Sequence, residues 1–332
     1  MNNKKILFIR NDHIGDLFFS TQIFREFKKA WPDCNITLVC SKSTKELIEY
    51  NPYVDKVLEL EMAEYSFKRV WEYFKMGLKI RKMKFDIGVD VRGSPLNACM
   101  LLWLGNIKTR VGKIDSSPNK LRQKIISMFL NSPIFTNHHQ STVHLAEENT
   151  NVINDGLGIY TKYYGPEIFK TTADSSKVKE FIKNNKIKKY ICVMPIANGE
   201  YKQWSYNKWH EIIKYLARDY KVLLLGSFKE FKILNNLASG IENTSVQTGF
   251  NLREVSILFE TSSLNIGSDS GVLHIAAASG SPSVVLSPSS PAIFKNGKFL
   301  PLGNSKVVWA RGKDMNTIKV DEVKKAIKEI LE

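Results

Sequence analysis

Three short stretches of the sequence place polar or charged side chains next to a glycine, directly after a predicted strand. The first contains His13, Gly15 and Asp16, which follow the apolar run KILFI. Gly15 allows a tight turn from strand to helix, and Asp16 falls in the first helical turn. A carboxylate there can cap the helix or accept a proton from a substrate hydroxyl, and the residues alone leave both interpretations open.

The second stretch, ANGEYKQWS, begins at Ala197. Asn198 and Gly199 allow the backbone to approach a ligand closely, and Lys202 offers a mobile ammonium group. A single lysine in a lysine-rich chain is usually solvated. The position of Lys202 after a strand end is what makes it a candidate for binding an anionic ligand.

The third stretch, GSDSGVLHIAAA, begins at Gly267 and contains Asp269, Ser270, Gly271 and His274. The pattern predicts a strand end, a small polar turn and then a helix whose free N–H groups form an anion site. His274 falls one turn into this helix and would face the same ligand. A capped helix that packs tightly through its alanines explains these residues equally well.

Several familiar catalytic patterns are missing from the sequence. No G-x-G-x-x-G follows the first strand, no P-loop or G-x-S-x-G is present, and no Asp-x-Asp pair could hold a metal on a diphosphate. The four cysteines are widely spaced, which favours buried thiols over a metal site. We therefore expect no metal and no cofactor, so that Lys202 and backbone dipoles would meet a diphosphate.

The elements that position these residues alternate between strands and helices. The predicted strands span 5–10, 36–40, 56–60, 85–91, 190–196, 221–226, 244–247, 264–267 and 283–286. Helices are predicted between most of them, and the first spans 16–30. This alternation predicts an α/β protein with two doubly wound domains, over residues 1–170 and 171–332. Ligands of such sheets bind at the carboxyl ends of the strands, so the residues after each strand matter most.

The composition narrows the choice of partner. Of the 332 residues, 43% are hydrophobic, and 48 Lys and Arg against 33 Asp and Glu give a net charge of +15. Such a charge favours phosphorylated ligands, an acidic membrane surface or nucleic acid. The basic residues are dispersed and accompanied by acids, which argues against nucleic acid. No apolar run approaches the length of a membrane span, so we expect a cytoplasmic protein.

Two segments together resemble glycosyltransferase family 9, the ADP-heptose:lipopolysaccharide heptosyltransferases. They are KKILFIRNDHIGDLFFSTQIFREFKKAWPDCNITLVC at the start of the chain and GSDSGVLHIAAASGSPSVVLSPSSP in its second half. The stretch TRVG at 109–112, the stretch KQW at 202–204 and the tail 315–330 follow the same pattern. The resemblance covers nearly the whole chain.

The resemblance implies a GT-B fold, with two Rossmann-like domains and the active site in the interdomain cleft. The N-terminal domain would bind the acceptor and the C-terminal domain the nucleotide sugar. The implied reaction is an inverting, metal-independent transfer of heptose from ADP-heptose to a hydroxyl of the lipopolysaccharide inner core. A GT-B transferase with another nucleotide-sugar donor is the alternative. A non-catalytic binder of anionic ligands or nucleic acid is more remote.

Site residues follow from the same resemblance. Asp16 matches the catalytic base. The donor-binding set is Asn198, Gly199, Lys202, Asp269, Ser270, Gly271 and His274. The acceptor-side candidates are His13, Gly15 and Arg110, with Lys108 and Lys113 nearby. The expected partners are ADP-heptose, the lipopolysaccharide core and, through a peripheral contact, the cytoplasmic face of the inner membrane, but not nucleic acid.

Overall fold

The computed structural model describes residues 3–61, 67–92, 96–115, 119–136, 142–290 and 299–332. The chain divides into two units, Met1–Phe169 and Lys170–Glu332. Each unit is built on a six-stranded sheet whose neighbouring strands all run parallel. The α/β class and the parallel sheets predicted from the alternation of strands and helices are confirmed.

The sheet of the first unit has the strand order β3-β2-β1-β4-β5-β6. Its strands are β1 (Lys5–Ile9), β2 (Asn35–Cys40), β3 (Lys56–Glu59), β4 (Ile87–Asp90), β5 (Thr109–Asp115) and β6 (Ser132–Thr136). Its helices are α1 (Ile14–Phe18), α2 (Gln22–Ala30), α3 (Lys42–Lys45), α4 (Phe67–Met83), α5 (Leu96–Leu104), α6 (Lys120–Met128) and α7 (Leu145–Leu157). The strand order reverses between β1 and β4, so their carboxyl ends form the crevice where such sheets bind ligands.

The second unit repeats this plan in the order β12-β11-β10-β7-β8-β9. Its strands are β7 (Tyr190–Met194), β8 (Lys221–Leu225), β9 (Thr244–Gln247), β10 (Leu264–Ser268), β11 (Ser283–Ser287) and β12 (Ser305–Trp309). Its helices are α8 (Thr172–Asn184), α9 (Tyr206–Leu216), α10 (Phe231–Ala238), α11 (Leu252–Thr261), α12 (Gly271–Ala278) and α13 (Val320–Leu331). Here the order reverses between β7 and β10.

The nine predicted strands are all present, with ends that differ by at most two residues. They read as continuous apolar runs because helices cover both faces of a parallel sheet; in β7, for example, every residue is buried. Strands β5, β6 and β12 were not predicted. β6 and β12 are half-buried edge strands, so their sequences lack the apolar runs of the central strands.

The helix predicted over 16–30 is wrong as one element, because α1 ends at Phe18 and α2 begins at Gln22. Two hydroxyl groups explain the break. The Ser20 hydroxyl donates to the Asp16 carbonyl at 3.0 Å, and the Thr21 hydroxyl donates to the Phe18 carbonyl at 2.8 Å. Such side chains compete with the backbone for helical hydrogen bonds. Asp16 therefore lies on a short helix of its own.

The break also anchors the extended segment that ends the first unit. The Gln22 amide oxygen accepts the backbone N–H groups of Tyr164 at 2.8 Å and Gly165 at 3.0 Å. The Thr21 hydroxyl accepts the backbone N–H of Glu167 at 2.7 Å. Gln22 and Thr21 are fully buried, so these bonds satisfy polar groups that water cannot reach.

Candidate functional site

A buried arginine lies at the switch point of the first sheet and contacts two carboxylates. Arg10 directly follows β1 and is 2% exposed. Its Nε lies 3.2 Å from Oδ1 of Asp12, and its Nη2 lies 3.2 Å from Oδ1 of Asp16. Arg92, which follows β4, approaches Asp12 from the other side, with 3.6 Å between its Nε and Oδ2. The reversal of strand order brings these four residues together.

Asp16 is the accessible carboxylate of this group. Its side chain is 27% exposed, whereas the side chain of Asp12 is 6% exposed. Arg10 holds Asp16 from the buried side, which leaves the other carboxylate oxygen for a ligand. The arrangement suits a group that accepts a proton, because its geometry is fixed and one face stays open.

Two further carboxyl groups at this switch point are buried. Burial raises the pKa of Asp12 to about 6, although the Arg10 and Arg92 guanidinium groups lower it. Burial also raises the pKa of Asp90 to about 6, against the opposing effect of its hydrogen bond from the Arg92 backbone N–H at 3.0 Å. Burial therefore raises the pKa of both carboxyl groups, and Arg10 and Arg92 oppose this effect at each of them.

His13 and Gly15 lie in the same turn as Asp16, as the sequence predicts. His13 is exposed at the start of α1, and its side chain makes no capping hydrogen bond. Gly15 is buried within α1 itself, where its backbone is helical rather than left-handed. Both residues are therefore neighbours of Asp16 in the chain, and their contact with the acceptor stays a prediction.

Arg110 is not brought to this cluster. It is the second residue of β5, and its guanidinium donates to the carbonyls of Ile107 at 2.6 Å and Phe129 at 2.7 Å. Both carbonyls lie at the amino end of the sheet, opposite the switch point. Its guanidinium therefore lies away from the cluster of Asp16, and its contact with the acceptor stays a prediction.

Lys113 is also unavailable to a ligand. Its side chain is 1% exposed, and its ammonium forms an ion pair with the buried Glu148 of α7. Arg92, which contacts Asp12, keeps 23% of its side chain exposed. A partly exposed cation therefore follows β4, beside the cluster of Arg10 and Asp12.

The second cluster lies at the switch point of the second sheet and joins three predicted donor-site residues. The Lys202 ammonium is 2.9 Å from Oδ2 of Asp269, and Nε2 of His274 is 3.3 Å from Oδ1 of the same carboxylate. Asp269 follows β10, and Lys202 belongs to the loop after β7. The predicted neighbours therefore meet around one carboxylate.

Asp269 is ionised in this setting. Its burial raises the pKa, but the hydrogen bonds and charges of His274 and Lys202 outweigh that effect and hold it at about 2. The carboxylate in turn fixes the ammonium of Lys202, which is 17% exposed at its side chain. Lys202 is consequently an oriented cation rather than the mobile one predicted from the sequence.

The loop that carries Lys202 is shaped by a glycine and anchored by a tryptophan. Gly199 has a φ of 95°, and a Cβ there would lie 2.8 Å from the Tyr201 ring. Trp204 is buried against Trp209 with ring centroids 5.1 Å apart, and its Nε1 donates to the Ile318 carbonyl at 3.1 Å. Asn198 is exposed beside Gly199 at the open side of the loop.

The third predicted motif forms the start of α12. The Ser270 hydroxyl accepts the backbone N–H of Leu273 at 3.4 Å, and Gly271 is the first helical residue. A Cβ at Gly267 would lie 2.4 Å from the Met194 carbonyl oxygen, so glycine allows β10 and β7 to approach at this point. The partly exposed helix start and Lys202 therefore present positive charge at the same sheet edge.

The four cysteines are buried, as predicted. The sequence does not predict that the Cys99 thiol donates to Asp90 at 3.7 Å. Nor does the pattern of motifs identify Arg10, Asp12, Asp90 and Arg92 as site residues. The strand-end rule would have found Asp90 and Arg92, because Asp90 lies near the end of the predicted strand 85–91 and Arg92 directly follows it.

Two features are absent from the described ranges. No group of three or more His, Cys, Asp or Glu side chains there is arranged to hold a metal ion. None of the helices in those ranges is both long and apolar enough to cross a membrane.

Comparison with known proteins places these clusters in a family context. The family model of glycosyltransferase family 9 (heptosyltransferase) matches residues 73–327, which is 255 of the 332 residues. The chain is 22% identical to lipopolysaccharide heptosyltransferase 1 of Campylobacter coli, over 98% of each chain.

Two solved structures are similar over almost their whole length. A glycosyl transferase of family 9 from Veillonella parvula has a TM-score of 0.81 at 20% identity, covering 99% of this chain and 97% of that one. The ADP-heptose lipopolysaccharide heptosyltransferase II of E. coli has a TM-score of 0.78 at 19% identity, covering 98% of each.

These similarities confirm the GT-B fold, to which the two Rossmann-like units correspond. The match to the family model extends from α4 to α13 and so includes the loop of Lys202 and the turn of Asp269. The chain is therefore a glycosyltransferase and belongs to glycosyltransferase family 9, the heptosyltransferase family.

Proposed function

We propose that this enzyme transfers heptose from ADP-heptose to a hydroxyl of the lipopolysaccharide inner core, with inversion at the anomeric carbon. Family membership supports the sugar, and the names of the similar E. coli and Campylobacter coli enzymes support the donor and acceptor classes. The observation that carries the proposal is the half-open Asp16 carboxylate held by the buried Arg10.

The acceptor reaction follows from the cluster of Asp16. The acceptor oxygen forms a bond to the anomeric carbon while the bond from that carbon to the ADP oxygen breaks. Asp16 takes the proton of the acceptor hydroxyl, and the departing ADP keeps the electron pair. Arg10 positions Asp16, and the partly exposed Arg92 is suited to the anionic groups of the acceptor.

The donor side must stabilise the charge that develops on ADP. Lys202 and the N–H groups at the start of α12 supply positive charge at one sheet edge. Asp269 and His274 hold the lysine in place, and the exposed Asn198 and Gly199 leave room for a ligand beside it. In this proposal the lysine and the helix dipole act where a metal ion acts in other transferases.

The central test is the rate of ADP release from ADP-heptose with a truncated lipopolysaccharide acceptor. Asp16→Asn should lower kcat by about 10²–10⁴-fold and leave donor affinity unchanged, because general-base catalysis has this magnitude. Asp33→Asn is the matched control, since Asp33 is an exposed carboxylate between α2 and β2. Near-normal turnover by Asp16→Asn would refute the assignment.

Lys202→Ala separates donor binding from proton transfer. We expect weaker ADP binding together with a lower kcat, because the lysine acts on the phosphates in both the ground state and the transition state. Thermal shifts with ADP, UDP and GDP identify the nucleotide, and a larger shift with UDP or GDP would favour another donor. Activity in the presence of EDTA tests the metal-independent mechanism.

The proposed place of action is the cytoplasmic face of the inner membrane, where the acceptor would be anchored. The dispersed positive charge of the chain is compatible with an anionic acceptor and does not require a nucleic acid partner. A filter-binding assay with DNA and RNA checks the second point. Tight nucleic acid binding that ADP-heptose abolishes would contradict it.

A further inference from the structure

Helices α4, α5 and α6 expose an unusual amount of apolar surface. Their inner sides contribute to one core of the first unit, together with residues of β1, β2, β3 and β5. Eight of the eighteen large hydrophobic residues that are exposed in the described ranges lie on these three helices. They are Val70, Trp71, Phe74, Leu78, Trp103, Leu121, Ile125 and Met128. We call these eight residues the α4–α6 surface.

On α4 the apolar residues form a stripe bordered by lysines. At 3.6 residues per turn, Val70, Trp71, Phe74 and Leu78 fall within about 100° of arc. The neighbouring arc carries the exposed lysines Lys68, Lys75, Lys79 and Lys82. The Trp71 and Phe74 rings stack with centroids 5.5 Å apart. The helix is therefore amphipathic on its solvent side as well as on its buried side.

Helix α6 repeats the pattern. Leu121, Ile125 and Met128 are spaced four and three residues apart and so lie on one side of the helix. Lys120 and Lys124 flank them, and the helix contains no acidic residue. Between the two helices, Trp103 of α5 packs edge-on against Phe129 with centroids 5.8 Å apart, which joins α5 to the end of α6.

We propose that the α4–α6 surface docks into the headgroup region of an anionic lipid bilayer. Exposed tryptophan and aliphatic side chains bordered by lysines match that environment, where apolar groups enter the acyl boundary and cations meet lipid phosphates. A second copy of the chain would present the same lysines, so like charges would oppose a face-to-face dimer. Charge complementarity thus selects the bilayer.

The inner side of α4 connects this surface to the acceptor cluster. The Tyr73 hydroxyl accepts a hydrogen bond of 2.7 Å from the side-chain amide of Asn11. Asn11 lies between Arg10 and Asp12, in the loop that leads to Asp16. Docking through the outer side of α4 would therefore hold the sheet edge that carries Asp16 next to the lipid surface. This inference goes beyond the proposed function, because docking can be measured without turnover.

The test is flotation of the full-length protein with phosphatidylcholine vesicles that either contain or lack phosphatidylglycerol. We expect binding only with phosphatidylglycerol. Phe74→Ser with Leu78→Ser, and separately Lys75→Glu with Lys79→Glu, should each weaken that binding by about tenfold or more. All four side chains are exposed, so the variants should keep the wild-type Tm.

The matched apolar control is Phe228→Ser with Ile233→Ser, two exposed residues of the second unit that should leave vesicle binding unchanged. The matched charge control is Lys186→Glu with Lys188→Glu, from a basic depression beside the start of β7. If the α4 variants bind like the wild type, or if only the Lys186 and Lys188 variant loses binding, the inference is wrong.

Two further readouts separate this inference from competing explanations. Sedimentation tests whether this surface instead forms a dimer. The inference is wrong if the wild type is a dimer that does not bind vesicles and the variant with Phe74→Ser and Leu78→Ser is a monomer. With a water-soluble, deacylated core acceptor, the α4 variants should keep the wild-type kcat. If the wild type binds vesicles but transfers no heptose to this acceptor, the proposed function is wrong and the docking inference still holds.

Discussion

The ion pair around Asp269 leads to a quantitative prediction for Asp269→Asn. A carboxyl pKa held at about 2, against its ordinary value of 3.8, corresponds to about 2 kcal/mol of stabilisation at about 1.36 kcal/mol per pH unit. Asp269 is 4% exposed, so solvent screening does not reduce this value appreciably. At neutral pH the variant should lose about 2 kcal/mol of unfolding free energy.

The stabilisation by Asp269 should decrease as the pH falls. Because the pKa is lowered on folding, the stabilisation is present above pH 3.8 and is lost as pH falls through about 2. About half of it should remain at about pH 3. The difference between wild type and variant should therefore shrink on acidification, while a variant of the exposed Asp219 should show no such trend.

Urea unfolding followed by tryptophan fluorescence measures this difference. Trp204 and Trp209 are buried in the second unit and report on its unfolding. The expected result is a lower urea midpoint for Asp269→Asn at pH 7, with an unchanged slope. If the variant matches the wild type at pH 7, or if the difference grows toward pH 3, the ion pair does not stabilise the fold as inferred.

Two predictions concern buried charge in the first unit. Asp90→Asn should stabilise the enzyme by about 1–3 kcal/mol at about pH 8 and have little effect at about pH 4. The reason is that burial raises the pKa of Asp90 to about 6, so that ionisation of Asp90 lowers the stability as the pH rises from 3.8 through 6. Measuring Tm of both proteins against pH checks this prediction. A difference in Tm that does not depend on pH would contradict it. Lys113→Met should cost about 3–5 kcal/mol, because it leaves Glu148 buried without its ammonium partner. Adding Glu148→Leu should recover most of that loss in urea unfolding, and an equally unstable double variant would contradict the ion-pair explanation.

The sequence predicts nine of the twelve strands in the described ranges, because buried parallel strands are continuous apolar runs that end at polar residues. It predicts Asp16, Lys202, Asp269 and His274 as members of the clusters for the same reason. The strand order, and with it the two switch points, comes only from the structure. The sequence does not predict that Lys202 is already paired with Asp269, since the two follow different strands and only the order β10-β7 makes them neighbours.

The failures have local physical causes. Arg110 stands in a motif that resembles the family, yet its position at the amino end of β5 directs it to backbone carbonyls. Lys113 looks like a solvated lysine in the sequence, and only the packing of α7 on β5 buries it beside Glu148. The helix over 16–30 fails because the periodicity of apolar residues continues across Ser20 and Thr21, whose hydroxyl groups interrupt the backbone pattern.

The hydrogen bonds from Gln22 and Thr21 determine where the chain can be cut. Residues 158–169 form neither helix nor strand, and a truncation at the end of α7 would remove them. Removing them would leave the fully buried side chains of Gln22 and Thr21 without the backbone N–H groups that now donate hydrogen bonds to them. An isolated N-terminal half must therefore run at least to Glu167 if it is to fold.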